Sequence, residues 1–130
     1  MTAAALKAAA VLEEKGYSPS VVNARFIKPL DEDLLSRLSE SHSLIVVLSE
    51  NNRSGGLGEA VEDVVSRRQL RAEVLSLEPA DGFLSQGKPD ELRKALGLDP
   101  ESIAEAAAGA AGCVRVRKKG FFQERFGKKK

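Results

Sequence analysis

The chain has 130 residues, with 20 Lys and Arg against 19 Asp and Glu, one His and one Cys. A single cysteine excludes an intrachain disulfide and a cysteine-based metal cluster, and no apolar run approaches the roughly 20 residues that span a bilayer. The formal charge of +1 conceals an asymmetry: residues 1–112 carry 12 basic against 18 acidic side chains, while residues 113–130 carry 8 against 1, so any nucleic-acid role would fall to the tail and not to the acidic body.

The length fits one domain plus an extension, and the charge step places the boundary: a globular unit over 1–110 and a basic, flexible tail over 111–130. In chain order, Leu6, Ala9, Ala10 and Leu12 fall near helical spacing within residues 3–15, with Gly16 set to cap the C-terminus. Residues 21–27 read as a strand. Pro29 then keeps Lys28 extended, and Asp31 is placed to accept from the free N–H groups of the helix that Glu32 and Asp33 begin. That helix runs to about Ser41 with Leu34, Leu35 and Leu38 on its apolar side.

Ser43-Leu44-Ile45-Val46-Val47-Leu48-Ser49 is a continuous apolar, β-branched run, the pattern of an interior strand covered on both faces in a parallel sheet. Glycines follow, then a helix from about Leu57 to Arg68 with Ala60, Val61, Val64 and Val65 inward. Residues 73–77 form another strand, 79–88 a loop, 90–96 a short helix ended by Gly97, and Asp99-Pro100 opens a last helix to about Ala108. Strands and helices alternating through short connections predict right-handed parallel crossovers and a three-layer α/β/α sandwich with a mostly parallel sheet.

Few residues are placed for chemistry. Gly55, Gly56 and Gly58 lie between a strand and a helix, where backbone N–H groups can cradle a phosphate, but Glu59, Glu62 and Asp63 on the opening turns favour the helix dipole and repel an anion. These glycines are therefore read as a tight turn and a close helix contact. Glu50 stands at the carboxyl end of a buried strand, where ligand sites of open α/β sheets gather, and without a second titratable group nearby it is read as structural or as a subunit contact. Arg25, a cation in an apolar strand, needs a carboxylate such as Glu50, Asp31 or one from another subunit. His42 reads as a surface or helix C-terminal residue and Cys113 as a plain thiol. In the tail, Arg115, Arg117, Lys118, Lys119, Arg125 and Lys128 to Lys130 interleave with Phe121, Phe122 and Phe126, the mixture seen in single-strand nucleic-acid binders and in membrane-surface peptides, read here as a disordered or incidental extension.

Three ordered segments carry a resemblance: Asn23-Ala24-Arg25-Phe26-Ile27-Lys28-Pro29-Leu30-Asp31; Leu48-Ser49-Glu50-Asn51 running into Gly55-Gly56-Leu57-Gly58; and Pro79-Ala80-Asp81-Gly82-Phe83-Leu84-Ser85-Gln86-Gly87 running into Glu91-Leu92 and Leu96-Gly97-Leu98-Asp99. Together they resemble the C-terminal domain of the transketolase family, and especially of the 1-deoxy-D-xylulose-5-phosphate synthases. The resemblance implies a thiamine-diphosphate- and magnesium-dependent dimer joining a pyruvate-derived two-carbon unit to glyceraldehyde 3-phosphate in isoprenoid and thiamine biosynthesis, with cofactor and catalytic residues on other domains. It implies for this chain a packing and assembly role, no cofactor of its own, no catalytic or metal-ligating residue and no activity alone. The partner would be a second copy or a thiamine-binding domain or chain, in the cytoplasm and away from membranes. Arg25, Lys28, Asp31, Glu50, Gly55, Gly56, Gly58 and Asp81 are the interface or structural candidates.

Two other readings stand beside it: the C-terminal part of a two-chain transketolase or of a 2-oxo-acid dehydrogenase β-subunit, and a free-standing interaction module with a nucleic-acid-binding tail. The family's first strands are absent here, one of which lies between the two strands that are 21–27 and 44–49 in this chain. Either the chain is an N-terminally truncated piece, or the sheet closes without that strand, or a partner supplies it. The tail has no family counterpart, and the alternation of Val114 and Val116 with Arg115 and Arg117 predicts that residues 113–118, where ordered, pair at a sheet edge.

Overall fold

The computed structural model describes residues 1–24, 28–51, 54–79 and 86–126, with side chains through Val114. Seven elements follow in order: α1 (Thr2–Glu14), α2 (Glu32–Ser41), β1 (Leu44–Leu48), α3 (Leu57–Arg67), β2 (Glu73–Leu77), α4 (Pro89–Ala95) and α5 (Pro100–Phe126). The strands are parallel, in register from Leu44 opposite Glu73 to Leu48 opposite Leu77. Because side chains alternate across a strand, Ile45, Val47 and Val74 face one side of the sheet and Leu48 and Leu77 the other.

Both faces are covered. On the first, Leu35 of α2 and Val61 and Val64 of α3 pack with Val47, joined by Ile45, Val74, Leu57 and Val65. On the second, Ala8 of α1 and Ile103 and Ala104 of α5 pack with Leu48 and Leu77. The small residues at the α1–α5 contact let two backbones approach closely, and Ala104 is fully buried. This is the expected α/β/α sandwich.

Local chemistry sets the boundaries. Asp31 Oδ1 accepts the N–H of Leu34 at 2.9 Å, satisfying a free donor of the first turn of α2. Gly16 takes φ +87° and ends α1, its N–H reaching Glu13 C=O at 3.0 Å while that of Tyr17 reaches Leu12 C=O at 3.0 Å. Asp99 Oδ2 accepts the N–H of Ser102 at 3.1 Å to start α5 behind Pro100.

Three expectations change. Residues 21–24 of the anticipated first strand form no regular structure, and Val22 is 46% exposed; the remainder of that strand, with Arg25, lies outside the described residues. Strand propensity is realised only when a neighbour takes up the backbone N–H and C=O groups, and no such ladder forms here. Among the described residues β1 has β2 as its one sheet neighbour and so stands at an edge of that two-stranded sheet, and of its five residues only Val47 is buried. Residues 113–118 do not form an edge strand but continue α5, which runs well past Ala108. The alanine-rich stretch from Ala104 to Ala111 has high helix propensity, and once begun a helix lengthens at one hydrogen bond per residue. Val114, with 2% exposure, lies on this helix and not on a strand.

Candidate functional site

The carboxyl ends of β1 and β2 and the N-terminus of α3 converge at one end of the sheet. Ser49, leaving β1, is buried, and its Oγ accepts the N–H of Asn51 at 3.1 Å. Glu50 turns to solvent and takes the Nε–H of Arg93 from α4 at 2.5 Å, while Arg93 Nη1 stands 3.5 Å from Asp90. The carboxylate therefore ties the strand end to α4, with about half of each side chain still in solvent, where such pairs contribute little to stability.

Gly55, at φ +68°, donates its N–H to Glu59 Oε2 at 2.7 Å, and Gly58 donates to Glu78 Oε1 at 2.9 Å. Glu78 follows β2 directly, so its carboxylate closes the start of α3 from the neighbouring strand. A Cβ built on Gly58 would lie 2.4 Å from Glu78 Oε2 and 2.6 Å from Ser76 Oγ. Hydrogen is thus the only side chain that fits there unless Glu78 moves. Ser76 Oγ donates to Glu62 Oε1 at 3.3 Å, a third carboxylate beside the same turn.

This arrangement decides what the glycine loop can hold. The N–H groups of Gly55 and Gly58 that would meet a phosphate already meet carboxylates of this chain, whose negative charge suits the positive end of α3 and repels an anion. Thiamine diphosphate does not fit here: the donors are taken, and no group of three or more His, Cys, Asp or Glu is placed to hold its divalent cation among the described residues.

Of the residues singled out from the sequence, Glu50, Gly55, Gly56 and Gly58 come together at this end of the sheet, and Asp31 stands apart as the cap of α2. Lys28 is exposed beside Pro29. Arg25 and Asp81 lie outside the described residues. Glu50, considered as a partner for Arg25, pairs with Arg93 among the described residues. His42 Nε2 lies 3.1 Å from Ser20 Oγ, and its Nδ1 lies 2.8 Å from Ser41 Oγ and 3.3 Å from Leu38 C=O, which pins the end of α2 to the segment after α1. Cys113 is exposed.

The contacts of Glu78 with the glycine turn and of Arg93 with Glu50 were not legible in the sequence. Charged residues beside a strand end and on a short helix match any solvated face, and only the fold brings them to the glycine turn and to Glu50. The same holds for Arg67 and Arg68, which clasp Glu32 at 2.6 and 2.9 Å and join α3 to α2, with Arg68 also 3.1 Å from Asp33. The hydrogen bond from Arg67 holds the Glu32 carboxyl below its ordinary range and raises the guanidinium in return. Hydrogen bonds from Ser102 hold Asp99 low.

With that geometry in place, the comparisons with known proteins decide the family. The transketolase C-terminal domain family model matches residues 1–103. The chain belongs to the transketolase C-terminal domain family. Curated relatives include the 1-deoxy-D-xylulose-5-phosphate synthases of Chlorobium luteolum, 41% identical over 105 residues and covering 81% of this chain but 17% of the relative, and of Dechloromonas aromatica, 44% identical over 101 residues with 78% and 16% covered. The enzyme of Aquifex aeolicus is 37% identical over 106 residues, with 82% of this chain and 17% of the relative covered. The chain thus spans about one-sixth of the length of these relatives. Among solved structures, a split gene transketolase described as an inactive beta4 tetramer superposes with a TM-score of 0.78 at 32% identity, covering 85% of this chain and 36% of the other. No helix among the described residues is long and apolar enough to cross a membrane.

Proposed function

We propose that this chain is the packing and assembly domain of a 1-deoxy-D-xylulose-5-phosphate-synthase-like enzyme. In this reading it works in the cytoplasm, with residues 1–110 as the packing unit and 111–130 as a basic extension. The thiamine diphosphate and magnesium that condense a pyruvate-derived unit with glyceraldehyde 3-phosphate belong to other domains, and this chain joins them as a homodimer or through a thiamine-binding partner domain or chain. One observation carries the non-catalytic reading: the helix start that could meet a diphosphate is closed by Glu59 and Glu78. The interface and structural roles of Glu50, Lys28, Asp31 and the glycine turn follow from the same reading.

The test is complementation in trans. The Chlorobium luteolum synthase, truncated where its match to this chain begins, is assayed for 1-deoxy-D-xylulose 5-phosphate formation with and without the chain. Activity that needs both supports the assignment. Turnover by the chain alone, or a saturable magnesium-dependent heat on titration with thiamine diphosphate, would overturn it. The likeness to a split transketolase favours a second reading, the C-terminal part of a two-chain transketolase, and ketol transfer between sugar phosphates in the same assay would select that one.

A further inference from the structure

α5 carries its charges in order along its length. Glu101, Glu105, Gly109 and Cys113 are exposed at successive four-residue steps, which at about 3.6 residues per turn places them on one side of the helix, away from the buried Ile103, Ala104 and Ala107. Continued along the helix to Phe126, that register sets Lys119 on the same side and Arg115 and Arg117 on its flanks. This outer side is acidic at its start, small and uncharged in the middle, and basic at its far end. Among the residues with described side chains, no cation pairs with Glu101 or Glu105. A Cβ built on Gly109 or Gly112 meets nothing within 4 Å, so open space lies over the middle of the helix. The same layer leaves apolar surface in water on α1, where Ala3, Leu6 and Ala10 are exposed at helical spacing, Leu6 by 57%.

These features select one partner. A charge order that runs from negative to positive complements its own reverse, so a second α5 lying antiparallel meets each charge with its opposite, whereas a parallel one sets like charges together. Glu101 and Lys119 stand nine positions, and Glu105 and Arg115 five positions, on either side of Ala110. A two-fold axis passing beside Ala110 therefore sets Glu101 opposite the partner's Lys119 and Glu105 opposite the partner's Arg115, each pair occurring twice in one self-complementary contact. Glycine and alanine at the crossing let the helix axes close to about 8 Å, the short end of the usual range. Resting on the assembly role proposed above, we propose that the outer side of α5 is the seam of an antiparallel homodimer of this chain. Nucleic acid suits this surface less well, because its phosphates would run onto the acidic half of the same side.

Sedimentation velocity on the full chain tests the seam with two charge-reversed variants, Glu101→Lys with Glu105→Lys, and Arg115→Glu with Lys119→Glu. The parent is expected to dimerise reversibly and to lose the dimer as salt rises. Each variant alone meets like charge at all four contacts and should dimerise about tenfold more weakly or worse, while an equimolar mixture restores opposite charge at all four and should recover the dimer to within about threefold of the parent. Gly109→Leu, whose new side chain meets open space in the single chain, should keep the parent's thermal midpoint and fail to dimerise. A parent that is monomeric at every concentration, a dimer that survives both reversals, or a mixture that stays monomeric would overturn the seam, and so would a monomeric parent that retains a labelled oligonucleotide. The outcomes separate from those of the assembly reading. Synthase activity restored by a chain that stays monomeric removes the seam alone, and a dimer rescued on mixing without activity in the synthase mixture removes the assembly reading alone.

Discussion

Gly58 shows how one missing side chain couples two elements. Its N–H is held by Glu78, and the space a methyl group would take is filled by that carboxylate and by Ser76 Oγ. Gly58→Ala is therefore expected to destabilise the fold by about 1–3 kcal/mol, the usual cost of overpacking. The penalty is limited because the obstructing atoms end a side chain that can swing away at the expense of its hydrogen bond. Urea unfolding of Gly58→Ala, Glu78→Ala and the double variant checks this: the double change should cost less than the sum of the singles, and strict additivity would show that the carboxylate does not press on the glycine. At Glu32 the argument concerns pH. Its folded pKa is depressed by Arg67 and Arg68, so the stabilisation it provides is fully present above its unfolded pKa and is lost as pH falls through the lower folded value. Glu32→Gln should flatten the acid limb of the stability curve and leave the neutral and basic limbs parallel to those of the parent. The Glu32 side chain is 30% exposed, so the change should shrink in high salt. An acid limb unaltered by the substitution would remove the pair as a source of acid lability.

Among the elements, those legible in the sequence carry their own boundary chemistry. Asp31 announces α2, Gly16 closes α1, and the Ser43–Ser49 run announces β1, because each signal acts through bonds to near neighbours in the chain. Asp31→Ala removes the acceptor for Leu34 N–H and is expected to cost 0.5–2 kcal/mol in thermal or denaturant unfolding, typically about 1; a change below a few tenths would mean that water replaces the cap at no cost. Residues 21–24 misled because their apolar, β-branched composition states a preference that only a partner strand can realise, and nothing in the local sequence reports whether that partner is there. Residues 113–118 misled in the opposite direction. Two Val–Arg repeats satisfy period 2, but they follow a long alanine-rich stretch whose helix propagates through them, and cooperativity over α5 outweighs a four-residue alternation. At the candidate site, the glycine turn and Glu50 were visible as residues worth placing. The carboxylate of Glu78 and the guanidinium of Arg93 that determine their behaviour were not, since both contacts depend on tertiary approach across 20 and 43 positions of sequence.

The whole molecule is organised around a small sheet whose two faces are sealed by different helix pairs, and its charge is divided along α5. At about 1.5 Å per residue, a helix of 27 residues extends roughly 40 Å, longer than the 13-residue α1 against which it packs. The transketolase C-terminal domain match ends at residue 103, and both core clusters of the described residues lie at or before Ala104. Removal of residues 115–130 should therefore leave the sandwich folded, with a thermal midpoint within a few degrees of the parent, and should convert a nearly neutral chain into an acidic one, since the deletion takes away 8 basic side chains and 1 acidic one. Cutting instead after Ala104 should abolish cooperative unfolding, because Ala107 and Val114 would be lost from the buried set and the short remnant of α5 cannot hold its helix, and with it Ile103 and Ala104, against Leu48 and Leu77. Differential scanning calorimetry of the two truncations separates a packing body with a basic extension from a fold that needs the whole of α5: a large loss of stability on removing 115–130 alone would place structural contacts in the extension and move the domain boundary to the end of the helix.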